Sequence, residues 1–287
     1  MFTLIHAERD NVPAARACRV LGVSRSGYYQ WTQAKPSARS IEDIALVAEI
    51  KEVFREHKGR YGAPRIRHAV RRKGFCPGKN RVARLMATAG LQARAPRRFR
   101  KTTDSRKTQR IAPNLLERNF VISAPNTVLA GDITYIQTID GWLYLAVLLD
   151  LYSRRVVGWA MSDRIDTELA CSALNMVTTT RPLEPGWIHH TDRDCRYGSD
   201  EYLAKLALFG ARPSMSRKAD CWDNAVSETF FATLEKELLA HESLRSRAET
   251  RLVVADFIEN YYNLIRLHSY LGYVSPIEFE TNVRHQN

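Results

Sequence analysis

Apolar positions recur with a helical period through the first third of the chain and with a strand period after residue 126. In NVPAARACRVLGVSRSGYYQWT, residues 11–32, Ala14, Ala17, Cys18 and Leu21 share one helical face. Gly22 ends that helix, and Ser24 is placed to cap a second one carrying Tyr28, Tyr29 and Trp31. The layout fits a helix-turn-helix, and equally a small helical hairpin that reads no DNA. Residues 41–57 predict an amphipathic helix with Ile44, Val47, Ile50 and Phe54 on its stripe. The tract GRYGAPRIRHAVRRKGFCPGKNRVARLMATAGL predicts two more helices, one burying Ile66 and Val70 and the other Val82, Leu85 and Met86. Gly74, Pro77 and Gly78 break between them, which makes a second helix-turn-helix candidate. Residues 92–119 are basic, proline-punctuated and without period, as in a linker that lies along DNA or is disordered without it.

Strand texture takes over in TVLAGDITYIQT, WLYLAVLLDLY and SRRVVGWAMS, with a turn at Asp140 and Gly141. Helix is expected over 166–180, a short strand in WIHHTD, helix over 199–210, a short strand in PSMSR, and helix over 222–241. Three strands in a meander followed by alternating helix and strand predict an α/β domain with a mixed sheet. ETRLVVADFIENYYNLIRLH predicts one long amphipathic helix ending before Gly272 and Pro276.

Charge divides the chain at about the same place. Residues 1–120 carry 27 Lys and Arg against 9 Asp and Glu, whereas residues 121–287 carry 16 against 22. A basic part joined to an acidic one suggests a nucleic-acid-binding region attached to something else. Arg65, Arg67, Arg71, Arg72, Lys79 and Arg81 crowd the second helical pair with few acids to balance them, which makes them candidate DNA contacts. The five cysteines form no CxxC pair, so reduced thiols are expected. Met1–Ala7 runs into Glu8 and Asp10 without a basic start, unlike a signal peptide. No segment reaches the apolar length of a membrane span, so a cytoplasmic protein without a membrane partner is expected.

Three acids then stand out. Asp132 interrupts the apolar run LAGDITYI, where an ionised carboxylate is costly unless hydrogen bonds or a cation compensate it. Most strand acids face solvent, so taken alone it reads as structural. Asp192 falls where the strand WIHHT ends, the edge at which α/β folds place their chemistry. Glu228 lies within the helix beginning near Trp222, with Asn224 four residues before it on the same face. Acids from a central strand, a neighbouring strand end and a nearby helix suit two Mg²⁺ ions about 4 Å apart. Of His189 and His190, alternation sends one inward as a packed core residue, while Trp222, Phe230 and Phe231 read as core. Ser227 and Tyr197 stand near the acids without a convincing nucleophile setting. Tyr262, Asn263, Arg266 and His268 form a polar cluster that packs on the catalytic helix or touches DNA.

GDITYI, LAVLLDLYSRRVVGWAMS, IHHTDRDCRYGS and SMSRKADCWDNAVSETFFATLEKE follow one another in order. With FIENYYNLIRLHSYLGYVSPIEF, LGVSRSGYYQW and RYGAPRI they resemble, over nearly the whole chain, the large reading-frame product of the insertion-sequence-three family of transposases. That family belongs to the DDE superfamily of integrases and transposases. Asp132 and Asp192 are separated by 59 residues and Asp192 and Glu228 by 35, and the second spacing is the family's.

The resemblance implies an RNase H-like catalytic core over 121–287 with a C-terminal helical extension, a helical DNA-binding region over 1–91 and a basic linker over 92–120. It implies Asp132, Asp192 and Glu228 as metal ligands, Mg²⁺ as cofactor with Mn²⁺ a possible substitute, and Asn224 orienting Glu228 or capping its helix. It further implies metal-dependent cleavage and strand transfer at terminal inverted repeats. The partners implied are double-stranded element ends and target DNA, further copies of the chain, and a small upstream-frame protein or a fusion to it. Two departures stand in the motifs. Asp194 and Cys195 follow Arg193 where the family has Gly and Ser, and Glu235 occupies the family's basic position, with Lys236 one residue later. A step of one residue turns a helical side chain by about 100°, and Lys236 is expected to substitute in part as a DNA contact. A nuclease of the same fold and a non-catalytic DNA-binding regulator or defective element product are the rival functions.

Overall fold

A five-stranded sheet forms around the longest apolar runs of the chain, in the order β3-β2-β1-β4-β5. The strands are β1 (Val128–Thr138), β2 (Gly141–Asp150), β3 (Val156–Ser162), β4 (Ile188–Thr191) and β5 (Arg212–Met215). The meander β1-β2-β3 is antiparallel, and β4 and β5 join parallel to β1, so the sheet is mixed as expected and β1 is central. The computed structural model describes residues 1–94, 111–117, 121–217, 224–241, 243 and 245–284. Most of the expected linker, Cys221 and the expected core residue Trp222 lie outside the described residues.

Alternation along β2 divides its side chains between two cores. Leu143, Leu145, Val147 and Leu149 enter one, and Ala146 and Leu148 the other. The second core is covered by α7 (Thr167–Thr180) and α8 (Asp200–Leu208), capped by Asp166 and Ser199. α7 packs so closely that a Cβ on Gly158 of β3 would lie 2.5 Å from the Ala173 carbonyl oxygen. The first core is covered by α9 (Ala225–Glu237) and α10 (Arg247–Asp256). Coverage on both faces explains why the run Leu145–Asp150 is buried without interruption.

The first core also takes in the N-terminal helices α4 (Ala38–Glu56), α5 (Ala63–Arg72) and α6 (Lys79–Thr88). Ile66, Val70, Val82, Leu85 and Met86 are buried as their spacing predicts. In α4 the buried stripe is Leu46, Ile50 and Val53, and the expected Ile44 is 69% exposed. The helix is apolar on more than one side, and packing against α5 and α6 selects the face. Preceding these, α1 (Phe2–Ala7), α2 (Ala14–Val20) and α3 (Arg25–Gln33) enclose a separate small core of Ile5, Cys18 and Tyr28. Ser24 caps α3 by accepting from the Gly27 amide, and Gly22 turns with φ +62°. Residues 111–117, within the expected linker, lie on the sheet: Leu116 packs on Val128 and Ala130, and the Leu115 amide donates to Ser214 Oγ.

The expected long C-terminal helix is two elements. After α10, residues Phe257–Asn263 widen into a π-helix, which turns the consecutive side chains of Tyr261 and Tyr262 both inward. A further helix, α11 (Pro276–Arg284), follows where the sequence reading expected none, and Glu280 anchors it through Ser153, Arg155 and Arg181.

Because α4 shares its core with the five-stranded sheet, Ile50→Ala should cost about 2–5 kcal/mol and lower a single unfolding transition of the whole unit. Ile44→Ala should stay within about 0.5 kcal/mol of wild type. Urea unfolding followed by near-ultraviolet circular dichroism of the aromatic core decides it, and equal effects would refute the assignment of the stripe.

Candidate active site

β1 and β4 are adjacent and parallel, with Gly131 opposite Thr191. The next residue on each strand is an acid, so the register itself sets Asp132 beside Asp192. Close approach here needs glycine: a Cβ on Gly131 would meet His189 Cε1 at 2.6 Å. The His189 ring is fixed in turn by Tyr202, whose hydroxyl lies 2.8 Å from Nε2. His190 is buried too, 2.9 Å from Ser214 Oγ through Nδ1, so both histidines are packed inside where alternation predicted one. The reason is again a sheet covered on two faces.

Asp132 is half-buried. Its Oδ1 accepts from the Ile133 amide at 2.8 Å and its Oδ2 from Asn224 Nδ2 at 2.9 Å. Asn224 stands at the N-cap of α9 without a side-chain cap hydrogen bond, and its side chain holds Asp132. Its own Oδ1 is buried and finds no hydrogen-bond partner among the described residues. Asp192 Oδ1 accepts from the Asp194 amide at 3.0 Å. Asp194, the unexpected acid, is paired with the Arg196 side chain and accepts from the Arg196 amide.

Burial, and then the charge of Asp192, pushes the Asp132 carboxyl well above the usual carboxylate range. Burial, and then Asp194, raises Asp192 to about 6, with Arg196 acting against the rise. Glu228, in the first turn of α9, is exposed, and its charge adds to the rise at both aspartates. The three acids therefore share one electrostatic site. They are not drawn into a closed shell: among the described residues no three His, Cys, Asp or Glu side chains are grouped to hold a metal ion. The donor set nevertheless suits a hard divalent cation, which would relieve the repulsion between the two aspartates and give the stranded Asn224 oxygen a partner.

Other candidates resolve by burial. The Tyr197 hydroxyl is pushed far up, first by burial, and Ser227 is fully buried, so neither is poised as a nucleophile. Phe230 and Phe231 belong to the core. The C-terminal polar cluster packs on α9: Tyr262 meets Phe230 edge-on at 4.9 Å, and Arg266 binds Glu237. Asn263 brackets Val156 by two backbone hydrogen bonds.

Of the candidate DNA contacts, Arg65 binds the Leu267 carbonyl and Glu237, and Arg72 binds Glu278. Arg81 binds Asp43 and Glu42, while Arg67 donates to the Pro77 carbonyl. Arg71 and Lys79 are exposed, and Lys236 is half-buried. Apart from Pro77, those internal partners lie far off in sequence or on another helix, so charge density along the chain does not reveal them.

Residues 122–221 and 209–276 match two families each described as integrase core domain, and residues 40–99 match an HTH-like domain. Transposase InsF for insertion sequence IS3A of Escherichia coli (strain K12) is 41% identical over 281 residues, 97% of this chain and 98% of that protein. The insertion element IS600 uncharacterized 31 kDa protein of Shigella sonnei is 41% identical over 262 residues, 91% of this chain and 96% of that one. Among solved structures, a chain of the simian T-cell lymphotropic virus intasome in complex with PP2A regulatory subunit B56 gamma aligns at 14% identity and TM-score 0.46, covering 75% of this chain and 70% of that chain.

An acid whose folded pKa is raised binds more protons folded than unfolded, so its cost to stability grows as pH rises from the unfolded value to the folded one. Asp192→Asn should therefore match metal-free wild type in thermal stability near pH 4 and exceed it by several degrees above about pH 6. Millimolar Mn²⁺ should close the gap by stabilising wild type alone. Parallel melting curves across that range would contradict the repulsion described here.

Proposed function

Since this chain belongs to the insertion-sequence-three family of transposases, we propose that it cuts a DNA strand at a terminal inverted repeat of its element and that the freed 3′ end then attacks the same strand at the other end. The observation that carries the reading is the pairing of Asp132 and Asp192 on adjacent parallel strands, with Glu228 acting on both. In cleavage, water attacks the scissile phosphorus and the 3′ oxygen leaves as a hydroxyl. In joining, that hydroxyl attacks a second phosphorus and the displaced 3′ oxygen leaves, so no protein–DNA bond forms. The absence of a nucleophile setting at Tyr197 and Ser227 fits this course.

Asp132, Asp192 and Glu228 are the residues that would hold Mg²⁺, or Mn²⁺ in its place. When bound, the ions stabilise the charge that develops on the phosphate and its leaving oxygen. Asn224 keeps one oxygen of Asp132 engaged, so the carboxylate is held in one orientation. Asp194, neutralised by Arg196, adds less charge at the strand end than its sequence position suggests.

In this reading residues 1–91 hold the DNA, 92–120 connect, and 121–287 carry the chemistry. Arg71, Lys79 and Lys236 are the proposed DNA contacts that best combine charge with reach. No helix among the described residues is long and apolar enough to cross a membrane. Two element ends must meet, so the working complex contains more than one copy, with target DNA and the small upstream-frame protein, or a fusion to it, as the further partners.

The test is a cleavage and strand-transfer assay on the element's own ends with Mg²⁺ or Mn²⁺. Joined product is expected with wild type and a loss of at least about 10²-fold with Glu228→Gln. Cleavage without joining would favour a nuclease, and tight DNA binding with no product would favour a regulator or defective element product. Lys236→Ala should weaken inverted-repeat binding and lower its salt dependence by about one phosphate contact. An unchanged binding isotherm would remove Lys236 from the interface.

A further inference from the structure

The end of α9 remote from Glu228 holds a charge cluster that the proposed chemistry does not use. Glu237 is 2% exposed and Arg266 4%. Their bond is two-pronged, Nε to Oε2 at 2.9 Å and Nη2 to Oε1 at 2.7 Å, with Arg65 Nη1 a further 3.5 Å from Oε1. The backbone carbonyl of the same residue accepts from Arg60 Nε at 3.0 Å and Arg94 Nη1 at 2.9 Å. Arg60 is itself held by Tyr261 of the π-helix, 4.1 Å from the ring centre. Four arginines thus converge on the last residue of one helix. Three come from the HTH-like region and one from beyond the π-helix.

Cations at a helix C-terminus meet its partial negative charge, so the arrangement is favourable locally. Stability alone does not call for it, because well-packed apolar residues commonly replace a buried ion pair without loss. What the cluster fixes is placement. α9 runs as one rigid rod of about 14 Å from Glu228 to Glu237. Its near end touches the site through Asn224, and Ser227, Phe230, Leu234 and Glu237 form its buried stripe. Rotation or tilt at the clamped end moves Glu228 relative to Asp132 and Asp192.

We propose that Glu237 is a positioning residue: the arginine clamp of Arg60, Arg65, Arg94 and Arg266 sets α9, so that the helical region before the catalytic core fixes where the third carboxylate stands. The inference rests on the reading of Glu228 given above. It makes the N-terminal helices part of the active-site frame.

Two full-length variants test it. Arg94→Ala removes one half-buried prong and leaves the ion pair intact. Glu237→Met with Arg266→Leu replaces the pair by apolar volume. Both should melt within a few degrees of wild type. The Mn²⁺ concentration giving half of the thermal shift, and half of the strand-cleavage rate, should rise roughly 2- to 30-fold. In a Glu228→Gln background the same changes should have no further effect on Mn²⁺ response. Amide hydrogen exchange should quicken in residues 225–230 and stay unchanged in β1 and β4. Variants that lose stability while their Mn²⁺ response is unchanged would make the clamp merely structural and overturn the proposal. Should wild type itself show neither Mn²⁺ response nor product, the transposase chemistry falls. The clamp is then judged by hydrogen exchange alone, where unchanged protection of residues 225–230 refutes it.

Discussion

Two carboxylates forced together in a half-dry site are the constraint around which this protein is built. Adjacent parallel strands in matching register bring Asp132 and Asp192 side by side, and burial raises both of them above the range in which they ionise freely. Nothing local offsets that repulsion fully, since Ile133, Asn224 and the Asp194 amide supply single hydrogen bonds. The frame does. A sheet with apolar cover on both faces leaves no alternative packing for Gly131 and His189, and the acids inherit its rigidity. Stored electrostatic strain of this kind is characteristic of functional sites, where a cation or substrate arrives to relieve it.

The same frame changes what the basic N-terminal third is for. Its helices α4 to α6 contribute buried side chains to the core beneath β2 and α9, so they are not a reader hung on a tether. Arg60, Arg65 and Arg94 point into the protein and bind Glu237 at the end of α9, and Arg72 and Arg81 pair with acids of the chain. A positive excess over residues 1–120 is therefore partly internal. What remains outward, Arg71 and Lys79 among it, is the portion available to phosphate.

The sequence was readable where physics acts over short distances along the chain. An acid in an apolar run, the cap at Ser24 and the apolar strand texture of β2 all announce themselves within a few residues. The partners of the site do not. Asn224 was visible as the neighbour of Glu228, yet its bond goes to Asp132, 92 residues away. Glu237 interrupts the apolar stripe of Phe230 and Leu234, the one local sign of a buried acid, but Arg60 lies 177 residues before it. The π-helix escaped because a search at 3.6 residues per turn assumes the geometry that Tyr261 and Tyr262 depart from. Ile44 misled because α4 offers more than one apolar face, and only packing against α5 and α6 decides between them.

The buried stripe also sets which way an acid at position 235 faces. Ser227, Phe230, Leu234 and Glu237 fix the rotation of α9 about its axis. Seven residues on from Glu228, Glu235 returns to within about 20° of the same direction, and Lys236 stands about 80° away. Glu235 therefore lengthens the negative edge that Glu228 begins. Lys236 flanks that edge, and a long aliphatic stem lets its ammonium reach around the helix. Which of the two meets the backbone is decided by the helix rotation, and the rotation is held at Glu237. The departure at position 235 and the arginine clamp are thus one question of geometry: a helix set differently by a few tens of degrees would trade an acid for a base at the DNA surface.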